Sequence, residues 1–600
     1  MRVDGGFDGF ARAVLIAVCV ALGVFVVAPL VGSVLLPAAR AWRSVFDANI
    51  WSLACLAGGA KGGACGSGWH TLALGGVSAT LATFIGGALA MLAQRGRPAR
   101  SPVLRAALRG MALLPSITPP FAVGLALILL LGRNGLVTRA VADLFGLAPG
   151  RWLYGAPGIV LAQCLAFTPL AWLTLRTVVA RVPAPLEEAA ATLRASNWTI
   201  LRTVTWPMLR PGVANAWLLC FIESVADFGD PLVVGGNFHV LSTDLYFAVV
   251  GAEQNPARAA VLGVWLLVMA LAAFVLQRAW LGRARFASVS GKPVAGRAMP
   301  LGAYVQGGLA LVCAPWCGLA LAVYATLLVG GFVRLWGVDF TLTADHFADV
   351  LGVAIDDGRL LLTGGAWDAV RETLRLAALA APLTAAAALL AGWLLARRRF
   401  AGRSVLEGTF ALSLAVPGTV MGLAWARAFD APPLMLAGGA SILVLSFVLR
   451  NMPPGLRAMS AAFAQIDPAL DEASASLRAG SWTTLRRVHV PLLLPALGAA
   501  LIHGFVRAAT TVSAVIFLVS ADHDLATTYL MGLVSNGNDG PALALAGALV
   551  VVLFALLCVA QALARMGRTS ERTLESRHRM HARKPQAAQV AACTTTEFPS

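Results

Sequence analysis

Residues 187–216 read EEAAATLRASNWTILRTVTWPMLRPGVANA, and residues 471–500 read DEASASLRAGSWTTLRRVHVPLLLPALGAA. The two stretches align without a gap at a constant offset of 284, and fifteen of the thirty positions are identical. The shared positions include Glu188/Glu472, Ala189/Ala473, Leu193/Leu477, Arg194/Arg478, Trp198/Trp482, Pro207/Pro491 and Pro211/Pro495. Such a match marks an internal duplication, so the fold must be two copies of one unit.

Outward from the repeat the chain is apolar. Of 600 residues, 58% are hydrophobic and 12% charged, and the mean hydropathy is +0.77. A soluble chain carries about 25% charged residues, so the solvent here is the lipid bilayer. Apolar stretches of spanning length occur near 11–36, 70–93, 110–132, 156–179, 212–235, 257–281, 302–332, 370–396, 405–429, 434–456, 492–519 and 541–564. The first is too long for a signal-peptide core and reads as a retained anchor. The copies of the repeat follow the fourth and tenth stretches. The expected fold is therefore an all-α membrane protein of about twelve transmembrane helices, two tandem six-helix halves with pseudo-two-fold symmetry. The first half is assigned to 1–290 (core 70–283, repeat loop 183–211) and the second to 291–566 (core 368–566, repeat loop 467–495). Residues 567–600 form a solvated tail in which His578 and His581 read as exposed side chains.

The net charge of +17 sits in short clusters between apolar runs. That pattern sets membrane orientation and offers no single face for nucleic acid. Loops 95–109, 278–297 and 397–403 are arginine-rich without acids, whereas 236–256, 334–368 and 520–540 are acidic. The basic loops, both repeat loops and both termini are placed in the cytoplasm, although outer loops 39–69 and 133–151 carry basic residues against the trend.

Each repeat loop opens with prolines (Pro183 and Pro185; Pro468) ahead of carboxylates, which favours a helix start with acids in its first turn. Alanines then leave a low-profile face, Arg194 and Trp198 are spaced i, i+4, and Pro207 and Pro491 are expected to stop the helix before the next span. On these residues the loop resembles the Glu-Ala-Ala ("EAA") loop of permease subunits in bacterial ATP-binding-cassette importers of the type I, MetI-like fold. The resemblance covers both halves. It implies that Glu188, Ala189 and Ala190, with Arg194 and Trp198, and Glu472, Ala473 and Ser474, with Arg478 and Trp482, form coupling helices. These would dock on two copies of a cytoplasmic ATPase, while a periplasmic solute-binding protein delivers cargo. The family's glycine slot holds Arg194 and Arg478, so a tight turn must form without glycine.

Ala226-Asp227-Phe228-Gly229, Val233-Val234-Gly235-Gly236-Asn237-Phe238, Leu241-Ser242-Thr243 and the run 513–520 are similar to the ferric-iron permease group, which merges with permeases for 2-aminoethylphosphonate. The implied function is a ferric-iron importer channel, with the phosphonate cargo and a secondary transporter as alternatives. No G-x-x-x-x-G-K-[ST], H-E-x-x-H or G-x-S-x-G occurs, so no catalytic site or cofactor is expected in this chain. Cys313 and Cys317 lack companion ligands for a metal, and Cys55 and Cys65 share one outer loop where a disulfide can form. Charges inside spans cost a few kcal/mol unless they face protein or water. Glu223 and Asp227 are expected one turn apart in the fifth span, with Asp230 near its outer end, and the 284 offset places Arg507 opposite Glu223 with His503 a turn earlier. A Glu223–Arg507 pair across the pseudo-two-fold is expected as a gate.

Overall fold

The computed structural model describes residues 8–41, 48–53, 65–96, 101–146, 148–251, 254–283, 300–356, 359–362, 364–432 and 434–559. Cys55, and with it the Cys55–Cys65 pairing, and the tail 567–600 lie outside the described residues. In the first half, α1 (Gly9–Arg40), α2 (Ser67–Arg95), α3 (Pro102–Leu113), α4 (Pro120–Leu131), α5 (Ala156–Ala180), α6 (Ala184–Thr192), α7 (Trp206–Ala226), α8 (Leu241–Val250) and α9 (Pro256–Arg283) follow one another. The second half begins with α10 (Ala303–Val329) and two hairpins, β1/β2 (Val333–Leu335, Asp339–Leu342) and β3/β4 (Val353–Asp356, Arg359–Leu362). It continues with α11 (Gly365–Arg397), α12 (Arg403–Ala415), α13 (Gly418–Ala428), α14 (Ala440–Phe463), α15 (Ala469–Ser476), α16 (Val490–Thr510), α17 (Ala526–Ser535) and α18 (Asp539–Val559).

Nine of the described helices are long and apolar enough to cross a membrane, and the α12/α13 pair, bent by 102°, makes up to ten. Two further helices, α7 and α14, are 21 and 24 residues long and fill the fifth and tenth expected positions, but internal charges lower their hydropathy. The expected spans 110–132 and 405–429 are not continuous helices. The first breaks at a 3₁₀ turn, Leu114–Ile117, beside Pro115 and Pro119, and the second at Val416, which is extended ahead of Pro417. Proline lacks the N–H a helix needs and pushes the residue before it out of the α region. The spans expected at 212–235 and 492–519 instead start upstream and end at Asp227 and Thr511, extended residues 284 apart.

The duplication is visible in the packing. In the first half α2, α5 and α7 pack on one another; in the second, α11, α14 and α16 do the same. Small residues let these backbones meet. A Cβ on Gly86 would lie 2.7 Å from Ala171 Cβ, and one on Gly392 would lie 2.8 Å from Met459 Cβ. Matching hydrogen bonds recur in the two halves: Leu241 N–H donates to Thr71 Oγ1 at 2.9 Å, and Ala526 N–H to Thr373 Oγ1 at 2.8 Å.

The first helix of each half crosses to the other half. Helix α1 packs on α11, α12 and α13, while α10 packs on α2 and α4. Pro29 withholds the N–H that a regular helix would offer to Phe25 C=O, and the buried Trp425 of α13 donates its indole N–H to that oxygen at 2.6 Å. From α10, Trp316 donates to Cys164 O at 3.2 Å and the Tyr324 hydroxyl meets Thr118 Oγ1 at 2.7 Å. The β1/β2 tip rests on the first half, with Trp336 Nε1 donating to Leu129 O at 3.1 Å and Arg139 to Gly337 O.

Candidate coupling loops and translocation-path charges

Both repeat loops fold alike. Each short helix, α6 or α15, ends in the same reversal: Arg194 N–H donates to Ala191 O and Ala195 N–H to Ala190 O, at 2.9 and 3.1 Å, and Arg478 and Ala479 repeat this onto Ala475 O and Ser474 O at the same distances. This is a Schellman turn, whose closing residue takes left-handed backbone. Arg194 stands at φ 60° and Arg478 at φ 54°, so the turn forms in the glycine slots with arginine in a conformation that costs a side-chain-bearing residue about 1–2 kcal/mol. The reversal, and not Pro207 or Pro491, ends each short helix. At those prolines the chain stays helical because a π-turn, Leu201–Thr205 or Leu485–His489, directly precedes and relieves the clash with the preceding carbonyl. Arg194 and Trp198 therefore sit on opposite sides of a turn and are not an i, i+4 pair on one helix.

Of the residues expected to dock, Glu188, Ala189, Arg194 and Trp198, and Glu472, Ala473, Arg478 and Trp482, are exposed, and Ala190 is half-buried. Ser474 departs from this pattern. It is buried, and its hydroxyl bonds to Thr484 Oγ1 at 2.6 Å, so it braces the loop from inside. Large apolar side chains stand out at matched positions: Leu186, Leu193 and Trp198 in one loop, Leu470, Leu477 and Trp482 in the other, with Leu193 and Leu477 both 83% exposed.

Sequence reading missed what holds the loops. Glu187 is 1% exposed and pairs with Arg95, the last residue of α2, while Thr205 Oγ1 donates to the same carboxylate at 2.6 Å. Its counterpart Asp471 meets Arg397 Nε, at the end of α11, at 3.3 Å and His489 Nε2 at 2.9 Å. Burial pushes the Asp471 carboxyl up, but the hydrogen bond and charge of His489, with Arg397 and Arg398, outweigh it and hold Asp471 below the usual carboxylate range. The signal was present as an acid at both 187 and 471 and an arginine closing both second-span helices.

The in-span charges Glu223, Asp227 and Arg507 are half-buried. Asp227 sits just past the end of α7; its carboxylate accepts from Gln163 Nε2 at 2.9 Å and from Gly229 N–H at 3.0 Å, and Ser242 Oγ donates to its carbonyl at 2.6 Å. Asp227 thus terminates the helix that was expected to contain it. Asp230 is 1% exposed. The expected Glu223–Arg507 ion pair is not formed among the described residues; α7 packs on α2, α5 and α9, and α16 on α11, α14 and the first-half turn Leu114–Ile117. Arg450 of α14 feels the charge of both, and donates to Val416 O at 2.7 Å. Among the described residues no three His, Cys, Asp or Glu side chains converge to hold a metal.

Comparison with known proteins fits this architecture. The family model of the binding-protein-dependent transport system inner membrane component matches twice, over residues 82–285 and 388–566. The ferric transport system permease protein FbpB of Actinobacillus pleuropneumoniae is 40% identical over 74% of this chain, and the putative ferric transport system permease protein FbpB 1 of Haemophilus influenzae is 42% identical over 68%. The matched stretch spans 64% of the length of each of these relatives. The probable ABC transporter permease protein y4fN of Sinorhizobium fredii is 28% identical over 73% of this chain and 78% of its own length. With the family model matched in each half and covering most of the chain, this protein belongs to the binding-protein-dependent transport system inner membrane components.

Proposed function

We propose that the chain forms the translocation channel of an ATP-driven importer of ferric iron in the bacterial inner membrane, with both termini in the cytoplasm. Two copies of a separate ATPase subunit dock on the coupling loops 183–211 and 467–495. A periplasmic solute-binding protein delivers the ion to the opposite face. The observation that carries this reading is the matched pair of loops, each with the same left-handed turn and the same exposed leucines and tryptophan. A secondary transporter has no use for two such surfaces. The cargo rests on two relatives named as ferric transport permeases at 40% and 42% identity.

Within the channel, Glu223, Asp227 and Arg507 belong to the translocation path. Arg450 stands in the field of both Glu223 and Arg507, so the path brings together charges from both halves in a low dielectric. The test is uptake of labelled ferric iron and labelled 2-aminoethylphosphonate in cells lacking this chain, re-expressing it, or expressing Glu188→Arg/Glu472→Arg. Iron uptake restored by the intact chain alone supports both cargo and docking. Phosphonate uptake reassigns the cargo, and full rescue by the double variant removes the docking role.

A further inference from the structure

The two coupling loops are held differently at the turn that follows the left-handed arginine. In the first loop Ser196 caps the short helix Asn197–Ile200 itself, its Oγ accepting from Thr199 N–H at 3.1 Å. The equivalent residue in the second loop is Gly480, which has no side chain to offer the helix Ser481–Thr484. The missing acceptor comes from another helix. Asp8 Oδ2 accepts from Ser481 N–H at 2.8 Å, while Asp8 Oδ1 accepts from Ala11 N–H at 2.9 Å and caps α1. One carboxylate thus caps two helices belonging to opposite halves.

An aromatic sandwich reinforces that bridge. The ring of Phe10 lies 5.5 Å from Trp393 at the end of α11 and 5.2 Å from Trp482 in the loop. Arg398 covers Trp393 at 5.3 Å and donates to Ser481 Oγ. Around the first loop, among the described residues, the corresponding place shows a backbone hydrogen bond, Leu301 N–H to Arg95 O at 3.2 Å, and a Cβ on Gly302 would lie 3.2 Å from Asn197 Nδ2. A cavity of about 30 Å³ between Arg95, Glu187, Asn197, Leu301 and Gly302 remains there. Among the described residues no ring stacks on Trp198, the counterpart of Trp482.

We propose that Asp8 and Phe10 are positioning residues that clamp the second coupling loop to the first half, so that an ATPase moving that loop also moves α1 and the second-half helix α13 packed on it. This rests on the coupling-loop reading above. The clamp makes the two docking loops mechanically unequal: the second is tied to both halves, while among the described residues the first shows no equivalent side-chain tie.

The test uses the full chain assembled with its ATPase, comparing wild type, Asp8→Ala/Phe10→Ala and the conservative Asp8→Asn/Phe10→Trp. Hydrogen exchange of residues 477–489 is expected to rise about tenfold in the alanine variant, from a lost cap and a lost aromatic pair, with 193–205 unchanged. Stimulation of ATP hydrolysis by the solute-binding protein is expected to fall about fivefold or more while the ATPase still copurifies, and the conservative variant recovers both. The variant Asp8→Ala/Phe10→Ala/Gly480→Ser returns a cap within the loop without the bridge; recovery of exchange but not of stimulation supports the clamp. Unchanged exchange in the alanine variant, or full stimulation with exchange raised, overturns it. Copurification of the ATPase with Glu188→Arg/Glu472→Arg would sink the docking reading instead, and is scored separately from exchange.

Discussion

Replacing Arg194 and Arg478 by glycine tests whether the two repeat loops store backbone strain. Both arginines sit at left-handed φ, 60° and 54°, where only the absence of a Cβ removes the steric penalty. The hydrogen bonds that close the turns, Ala195 N–H to Ala190 O and Ala479 N–H to Ser474 O, are both 3.1 Å, so their opening reports the turn directly. A gain of about 1 kcal/mol per turn corresponds to roughly fivefold slower exchange of the Ala195 and Ala479 amides. Arg→Ala at the same sites keeps the Cβ and gains nothing, which separates strain from loss of the guanidinium. Equal exchange in the Gly and Ala variants, or faster exchange with Gly, would refute the reasoning. If the guanidinium groups also touch the ATPase, both variants lose copurification together while only the glycine variant tightens the turn.

Glu187→Ala leaves Arg95 buried without its carboxylate, a loss of about 3–5 kcal/mol, whereas Arg95→Met/Glu187→Leu removes both charges and recovers most of it; thermal unfolding of the detergent-solubilised protein checks both. Leu193→Asp with Leu477→Asp changes exposed side chains only, so melting is unchanged while ATPase copurification is lost. Asp471 is held below the usual carboxylate range, so its contribution is present above the unfolded value near pH ~3.9 and disappears as pH falls through the lower folded value. A stability profile from pH 3 to 7 should therefore fall at the acid end less steeply in Asp471→Asn than in wild type.

The duplicated loop, the apolar stretches and the paired Glu-Ala motifs were legible in the sequence because each is local: hydropathy, proline and small side chains act within a few residues of where they stand. The broken helices at Pro115–Pro119 and Pro417 were equally local in cause, but an apolar run hides them, since hydropathy counts side chains and does not register a missing N–H. Only the tertiary structure decided which charge meets which. Glu187 finds Arg95 and Asp471 finds Arg397 across dozens of residues, while Glu223 and Arg507 share an offset and form no ion pair among the described residues. The crossing of α1 and α10 between halves was likewise invisible, because a helix's apolar surface states how much must be buried and leaves open against which partner. Asp8 makes the point most directly: in the sequence it is an acid ahead of a long apolar run, and in the fold it supplies the cap that Gly480 lacks.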